Sequence, residues 1–394
     1  MNKNKYQDYY DYLSEHVITP NRASENASIA IEGGKIAQIS FENKSVKADK
    51  TIDLKSSRVF AGFIDIHNHG AAGVDVNTAT AADLRKASKF LASKGVTAWL
   101  PTFVPDATEN YQKVIDAIDE VMQTQDNERS EPAARILGVH YEGVFANEKM
   151  CGALRPEFFK TFKNGDELVE MPRLKTPNAI HLTTLAPEIE GGIELIKELK
   201  KQNWIISIGH TNANTAILNQ ALEAGATHVT HLFNAMTGVH HREIGVAGWA
   251  LTNDKISCEI IADGIHVHPE MLKFAYKNKT AENLALVSDS VKMAGLGDGE
   301  YELWNEKVAV INGKTQNERG SIAGSVITML DAVKMMLSLG ISEAEVSKMA
   351  SLAPAEILGV EKDYGSIETG KRADLVALDG QGNVKMTIVG GKIV

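Results

Sequence analysis

What most restricts the fold of this chain is a regular alternation. Eight short apolar runs, at 63–69, 97–104, 136–143, 179–186, 204–210, 228–233, 256–263 and 284–289, are separated by stretches with helical spacing, among them 82–94, 111–123, 192–201, 215–224 and 269–277. Strands that run parallel need long crossovers, and helices are the usual ones. Gly95, Gly225 and Gly340 stand where helices end in a left-handed residue. Eight strand–helix units predict a closed (β/α)8 TIM-like barrel. A doubly wound open sheet is the competing arrangement, but the glycine-rich phosphate fingerprint expected after its first strand is absent.

The two ends of the chain have a different pattern. Residues 28–32 and 35–39 alternate on either side of Gly33-Gly34, a hairpin signal. Residues 373–378 and 384–389 are followed by Gly390-Gly391 and a last short strand. These segments are expected to pair into a small β-sandwich domain made of 1–60 and 364–394, leaving 61–363 as the barrel.

In a barrel of this kind, chemistry sits at the carboxyl ends of the strands. His67 and His69 end the first run, and residues two apart on a strand share a face, so Asp65, His67 and His69 are expected to point the same way. Glu142 ends the third run, His210 the fifth, His231 lies near the end of the sixth, and Asp289 ends the eighth. Imidazoles and carboxylates suit a borderline divalent metal: zinc or iron first, with manganese or cobalt tolerated by the same donors. His140, His181 and His228 are expected in the barrel wall or supporting the ligands.

Composition narrows the function classes. A formal net charge of −10 disfavours general nucleic-acid binding. The only cysteines, Cys151 and Cys258, provide no disulfide framework and suit a reducing compartment. No apolar run of about 18 residues marks a membrane span, and the first 13 residues are polar and tyrosine-rich. A cytoplasmic protein is expected.

Several stretches go further. Gly62-Phe63-Ile64-Asp65-Ile66-His67-Asn68-His69-Gly70, Gly209-His210-Thr211, Thr230-His231-Leu232-Phe233-Asn234-Ala235-Met236, His241-Arg242-Glu243, Ala262-Asp263-Gly264-Ile265-His266 and Ser288-Asp289 resemble the amidohydrolase superfamily. Within it they resemble the N-acetylglucosamine-6-phosphate deacetylase family, and the similarity runs from about Ala27 onward. The resemblance implies that Glu142, His210 and His231 bind a catalytic metal. It implies that His67 and His69 can hold a second one bridged by Glu142, giving one or two per subunit, and that Asp289 is the general acid/base. A sugar phosphate would be held by Asn234, the Ala235 backbone, His266 and Arg242, the last reaching across a homodimer from the neighbouring subunit.

There are two departures from that family. Val144 replaces a proline after Glu142-Gly143. More consequentially, Cys151-Gly152-Ala153-Leu154 stands where the family reads Lys-Gly-Ala-His. That histidine contacts the acetyl carbonyl in the family, and Leu154 has no hydrogen to donate. Ala153 and Leu154 are therefore expected beside the substrate, with a second metal at His67/His69, or Arg155, polarising the carbonyl instead.

Overall fold

The computed structural model describes residues 9–20, 22–41, 48–127, 131–165, 168 and 171–394. Eight parallel strands follow one another around a near-closed barrel: Phe63–Asn68, Val96–Phe103, Gly138–Phe145, Ile180–Leu185, Ile205–Ile208, His228–Val229, Ser257–Ile261 and Leu284–Val287. Each pairs with the next in sequence order. A parallel bridge between Asn68 and Ser290 brings the eighth back to the first. There the His69 amide donates to Ser290 O at 2.8 Å and the Asp289 amide to His67 O at 2.9 Å. Helices including Ala81–Ser93, Thr108–Thr124, Gly192–Lys201, Thr215–Ala224 and Pro269–Lys279 form the outer layer.

The inner core is aliphatic: Ile64, Ile66, Leu100, Leu182, Ile261 and Val287 pack together, with Ala355 and Leu358 against them. Helix faces pack through residues spaced three and four apart, such as Leu84, Ala87 and Leu91, in the larger outer core. Thr80 caps its helix reciprocally with Asp83, satisfying two amides that a helix start leaves open.

Strands from both chain ends form a second sheet, in the order Lys392–Ile393, Val384–Val389, Leu375–Leu378, Arg58–Ala61, Tyr9–Thr19, Arg22–Glu32, Lys35–Phe41, with Lys50–Asp53 also on Tyr9–Thr19. It has its own core around Ile29, Ile31, Val59, Leu375 and Ile388. Tyr9–Thr19 was not legible as a strand, because its polar residues hide the alternation; residues 1–8 lie outside the described residues.

Two differences bear on the site. The sixth strand is shorter than its apolar run, because His231 and Phe233 take left-handed backbone angles (φ 29° and 80°) that end the ladder. A three-stranded meander, Gly299–Leu303, Glu306–Ile311 and Lys314–Asn317, follows the barrel and was not anticipated. Its second turn is Asn312-Gly313, with φ of 51° and 74°, a hairpin signal present in the sequence. Among the described residues no helix is long and apolar enough to cross a membrane.

Candidate metal centre

The residues singled out at five strand ends do meet. The Glu142 carboxylate lies at the centre. Its Oε1 is 2.8 Å from His231 Nε2, 3.0 Å from His210 Nε2 and 3.4 Å from His67 Nε2, while Oε2 is 3.3 Å from His69 Nε2. Asp289 Oδ1 lies 3.2 Å from His69 Nε2 and 3.5 Å from His67 Nε2. All six side chains are buried. His210, His231 and Asp289 sit at positive φ (47°, 29° and 48°), a conformation that costs non-glycine residues on the order of 1–3 kcal/mol and concentrates at functional sites.

The arrangement of protons identifies what these atoms face. His67 Nδ1 is 2.8 Å from the Glu259 carboxylate, His69 Nδ1 is 3.1 Å from Thr102 O, and His210 Nδ1 is 2.9 Å from Met150 O. Each partner only accepts, so each Nδ1 carries a hydrogen, and the Nε2 atom that each ring turns inward is the one left to take a second proton or a metal. Inside the cluster the Nε2 atoms of His67 and His69 stand 3.2 Å apart, those of His210 and His231 also 3.2 Å apart, and all four lie close to Glu142. Lone pairs facing lone pairs and a carboxylate repel; a cation between them reverses the sign. The donors form two overlapping triads, His67/His69/Glu142 and Glu142/His210/His231, each with ligand atoms within 4.8 Å of one another. The residues therefore fit one divalent metal or two.

The same crowding appears in the proton affinities. Burial alone would discharge His67, but Glu142, Glu259 and Asp289 outweigh it and hold its pKa well above 6.5. His69 behaves alike, pushed up to about 9 by Asp289 and Glu142 against burial. Burial pushes Glu142 and Asp289 up, and the imidazoles more than reverse it, leaving both below the usual carboxylate range.

Sequence reasoning missed Glu259. It is fully buried on the seventh strand, and its carboxylate also accepts from His228 Nε2 at 3.0 Å and from the His231 amide at 3.3 Å. Its signal was available: a lone carboxylate inside the apolar run Ile256-Ser257-Cys258-Glu259-Ile260-Ile261 must be paired if it is buried. Asp65 does not join the two histidines as expected, because its carboxylate is taken up by Asn68 Nδ2 at 2.9 Å and Ser288 Oγ at 2.6 Å. His140, well below its ordinary pKa through burial, packs on the His67 ring and meets Thr184 Oγ1 at 2.8 Å, in a supporting position.

A pocket of about 300 Å³ opens beside the cluster. Asn234, Ala235, His266, Ala153 and Leu154 line it, as expected, and Trp304 from the unanticipated meander adds a wall, edge-on to His69 at 5.6 Å. Arg319 donates to Ala153 O at 2.8 Å and to Leu154 O at 3.3 Å, tying the 151–154 loop to the meander. His266 Nδ1 lies 2.6 Å from Asp263 Oδ2; burial would discharge this ring, but Asp263 outweighs it and raises the pKa, favouring a cation in the pocket.

Arg155 and Arg242 lie outside this pocket. Arg155 does not face the pocket: its guanidinium donates to Pro105 O at 2.7 Å, pairs with Asp106 at 3.2 Å and stacks over Phe158. Those contacts hold it in a neighbouring cavity. Arg242 is exposed, its Nη1 donating to His241 Nε2 at 2.8 Å, and does not line the pocket of its own chain.

A profile of the Amidohydrolase family matches residues 58–394. The chain belongs to the amidohydrolase family. Within this family the chain is 35% identical over 380 residues to an N-acetylglucosamine-6-phosphate deacetylase of Bacillus subtilis (strain 168), covering 96% of this chain and 95% of that protein. It is 36% identical over 334 residues to an N-acetylgalactosamine-6-phosphate deacetylase of Escherichia coli O157:H7, covering 84% and 86%. The crystal structure of N-acetylglucosamine-6-phosphate deacetylase from Pasteurella multocida superposes with a TM-score of 0.90 at 29% identity, over 98% of this chain and 99% of that one. Amidohydrolases are metal-dependent, which agrees with the lone-pair argument above.

Proposed function

We propose that this amidohydrolase deacetylates N-acetylglucosamine 6-phosphate, or its galactosamine epimer, releasing acetate and the amino sugar phosphate. The observation that carries this reading is the convergence of four Nε2 atoms, from His67, His69, His210 and His231, on Glu142 beside Asp289. The names of the Bacillus and Escherichia relatives supply the substrate class.

Glu142, His210 and His231 would hold one divalent metal, zinc or iron, and His67 and His69 with Glu142 a second. A metal so held supplies hydroxide at neutral pH, since it lowers the pKa of bound water to about 7. Asp289, ionised and at the mouth of the cluster, takes the proton from the attacking water and passes it to the leaving nitrogen, which otherwise leaves poorly. Asn234, the Ala235 backbone and cationic His266 orient the sugar phosphate. Arg242, exposed and outside its own pocket, completes the phosphate site of a second copy in a homodimer; its planar fork suits a phosphate. His67 and His69 would hold a metal of this kind on the side of the pocket that includes Leu154, and such a metal, if bound, would supply the polarisation of the acetyl carbonyl that Leu154 cannot. The chain is proposed to divide at 61 and 363, with 1–60 and 364–394 as the small β domain, and to work in the cytoplasm.

The test is acetate release from phosphorylated and unphosphorylated N-acetyl sugars of both epimers, with one and two equivalents of metal. Turnover that needs the phosphate and rises with the second equivalent supports the reading. Equal turnover of unphosphorylated sugars, or of acyl-amino acids, would assign the barrel to another amidohydrolase reaction.

A further inference from the structure

The meander brings one residue into the barrel mouth against its own backbone preference. The strands Gly299–Leu303 and Glu306–Ile311 are joined by a two-residue turn, Trp304-Asn305, with Leu303 paired to Glu306. Both turn residues take left-handed angles, φ 51° and 65°. Asparagine tolerates that conformation, whereas a bulky aromatic there is an outlier, and strained residues of this kind concentrate at functional sites. Burial raises the Asp75 pKa, and the Trp304 indole is among the groups that oppose the rise, which puts its N–H on the Asp75 side of the ring. Nε1 is nonetheless left buried without a hydrogen-bond partner. Trp304 therefore holds its place through its bulk, not through its polar atom.

That bulk separates two cavities. Trp304 lines both the central pocket of about 300 Å³ and a neighbouring cavity of about 350 Å³, whose other walls include Asp75, Asn77, Asp106, Asn110, Arg155 and Lys292. Asp75 and Asn77 follow the first barrel strand, Asp106 and Asn110 the second, and Leu154 and Arg155 the third. Asn234 and His266, which line the central pocket, follow the sixth and seventh. In a closed ring of eight strands the second stands opposite the sixth and the third opposite the seventh. A sugar phosphate held by Asn234 and His266 therefore points its N-acyl group across the metal donors, toward Trp304 and Leu154. The indole lies 5.6 Å from the His69 ring, and Asp289 Oδ1 is 3.2 Å from His69 Nε2. An acyl chain extending beyond a carbonyl carbon attacked there meets Trp304 at once.

We propose that Trp304 is a specificity-determining residue: it closes the acyl end of the pocket, limits the acyl group to about the length of acetyl, and bars longer chains from the cavity behind it. This rests on the substrate reading given above. Glycine has no Cβ and adopts left-handed angles freely, and it suits the first position of a two-residue hairpin turn. Trp304→Gly thus keeps the turn while joining the two cavities. One methylene in a fitted pocket changes kcat/KM by about 10–200-fold, so a wall against two of them is easily read.

The test compares kcat/KM for N-acetyl-, N-propanoyl- and N-butanoyl-glucosamine 6-phosphate in the full-length, metal-loaded parent, Trp304→Gly and Trp304→Phe. The parent is expected to prefer acetyl to butanoyl by about 100-fold or more, and Trp304→Gly to bring the two within about tenfold. Trp304→Phe, a smaller aromatic plug, is expected between them. A parent that takes butanoyl as readily as acetyl, or one selectivity shared by the parent and both variants, overturns the proposal. Calorimetric titration with acetate and with butanoate reads the same wall without turnover. The parent is expected to bind acetate about tenfold or more tightly than butanoate, and Trp304→Gly to lose that preference. Should the parent hydrolyse none of the sugar phosphates, the substrate reading fails and the two acids alone decide. No binding of either acid, or the same preference in parent and variants, then overturns the role of Trp304 as well.

Discussion

Replacing Glu259 with glutamine separates a carboxylate that positions the metal donors from one that merely fills a core. The side chain keeps its shape. In the parent, Glu259 accepts from His67 Nδ1 at 2.8 Å, from His228 Nε2 at 3.0 Å and from the His231 amide at 3.3 Å. An amide offers one accepting oxygen, and its NH2 must then face a ring N–H. One contact fails outright unless His228 moves its hydrogen to Nδ1, which is buried and has no partner. Hydrogen bonds to charged groups contribute about 1.5–3 kcal/mol each, and one such loss falls on the His67 tautomer or on His228. Partners of metal-bound histidines cost about 10–100-fold in metal affinity when removed. We therefore expect Glu259→Gln to fold and to lose about 10–100-fold in affinity for the metal at His67/His69, with a smaller change at His210/His231. Competition against a chromophoric chelator, with thermal unfolding of the metal-free protein alongside, measures both. A variant that is less stable yet binds both metals as tightly as the parent would show that Glu259 only satisfies the core, and the positioning argument would fail.

Three further outcomes follow from the coordinates. Asp289→Asn should retain metal content and lose about 10²–10⁴ in turnover, since it removes the proton acceptor but no ligand in either triad; unchanged turnover in an acetate assay would remove Asp289 from the reaction. Acidification should weaken the fold through His181, which burial, helped by the Arg173 charge, pushes down to about 4, and whose Nε2 accepts the Leu174 amide at 3.0 Å. The unfolded ring takes a proton near 6.5 and the folded one only near 4, so this contribution is complete above 6.5 and lost as pH falls toward 4; it amounts to about 3 kcal/mol at most. Denaturant unfolding of the parent and His181→Gln should diverge across that window, and parallel pH profiles would contradict it. Gly95→Ala should destabilise by about 1–3 kcal/mol, because φ is +87° and the added Cβ would lie 2.9 Å from both the Phe63 ring and Val376, read as a lower thermal midpoint with unchanged metal affinity.

The alternating runs were enough to identify the barrel, because helix and strand periods are local properties of the chain. The strand-end rule then picked out His67, His69, Glu142, His210, His231 and Asp289 without any knowledge of distances. Cys151-Gly152-Ala153-Leu154 likewise announced its departure from the family in one dimension. Other features required the folded chain. That Glu259 fixes His67 depends on two strands meeting across the barrel, and sequence assigns a buried acid no partner. Trp304 reaches the pocket because the meander folds back over it, so neither its spacing nor its neighbours placed it there. Arg155, next to Leu154 in the chain, turned away because Pro105 and Asp106 offered it a carbonyl and a carboxylate. Local periodicity determined which elements form and which side chains end them. Only closure of the sheet decided which donor atoms face one another, because that depends on residues as far apart in sequence as His67 and Asp289.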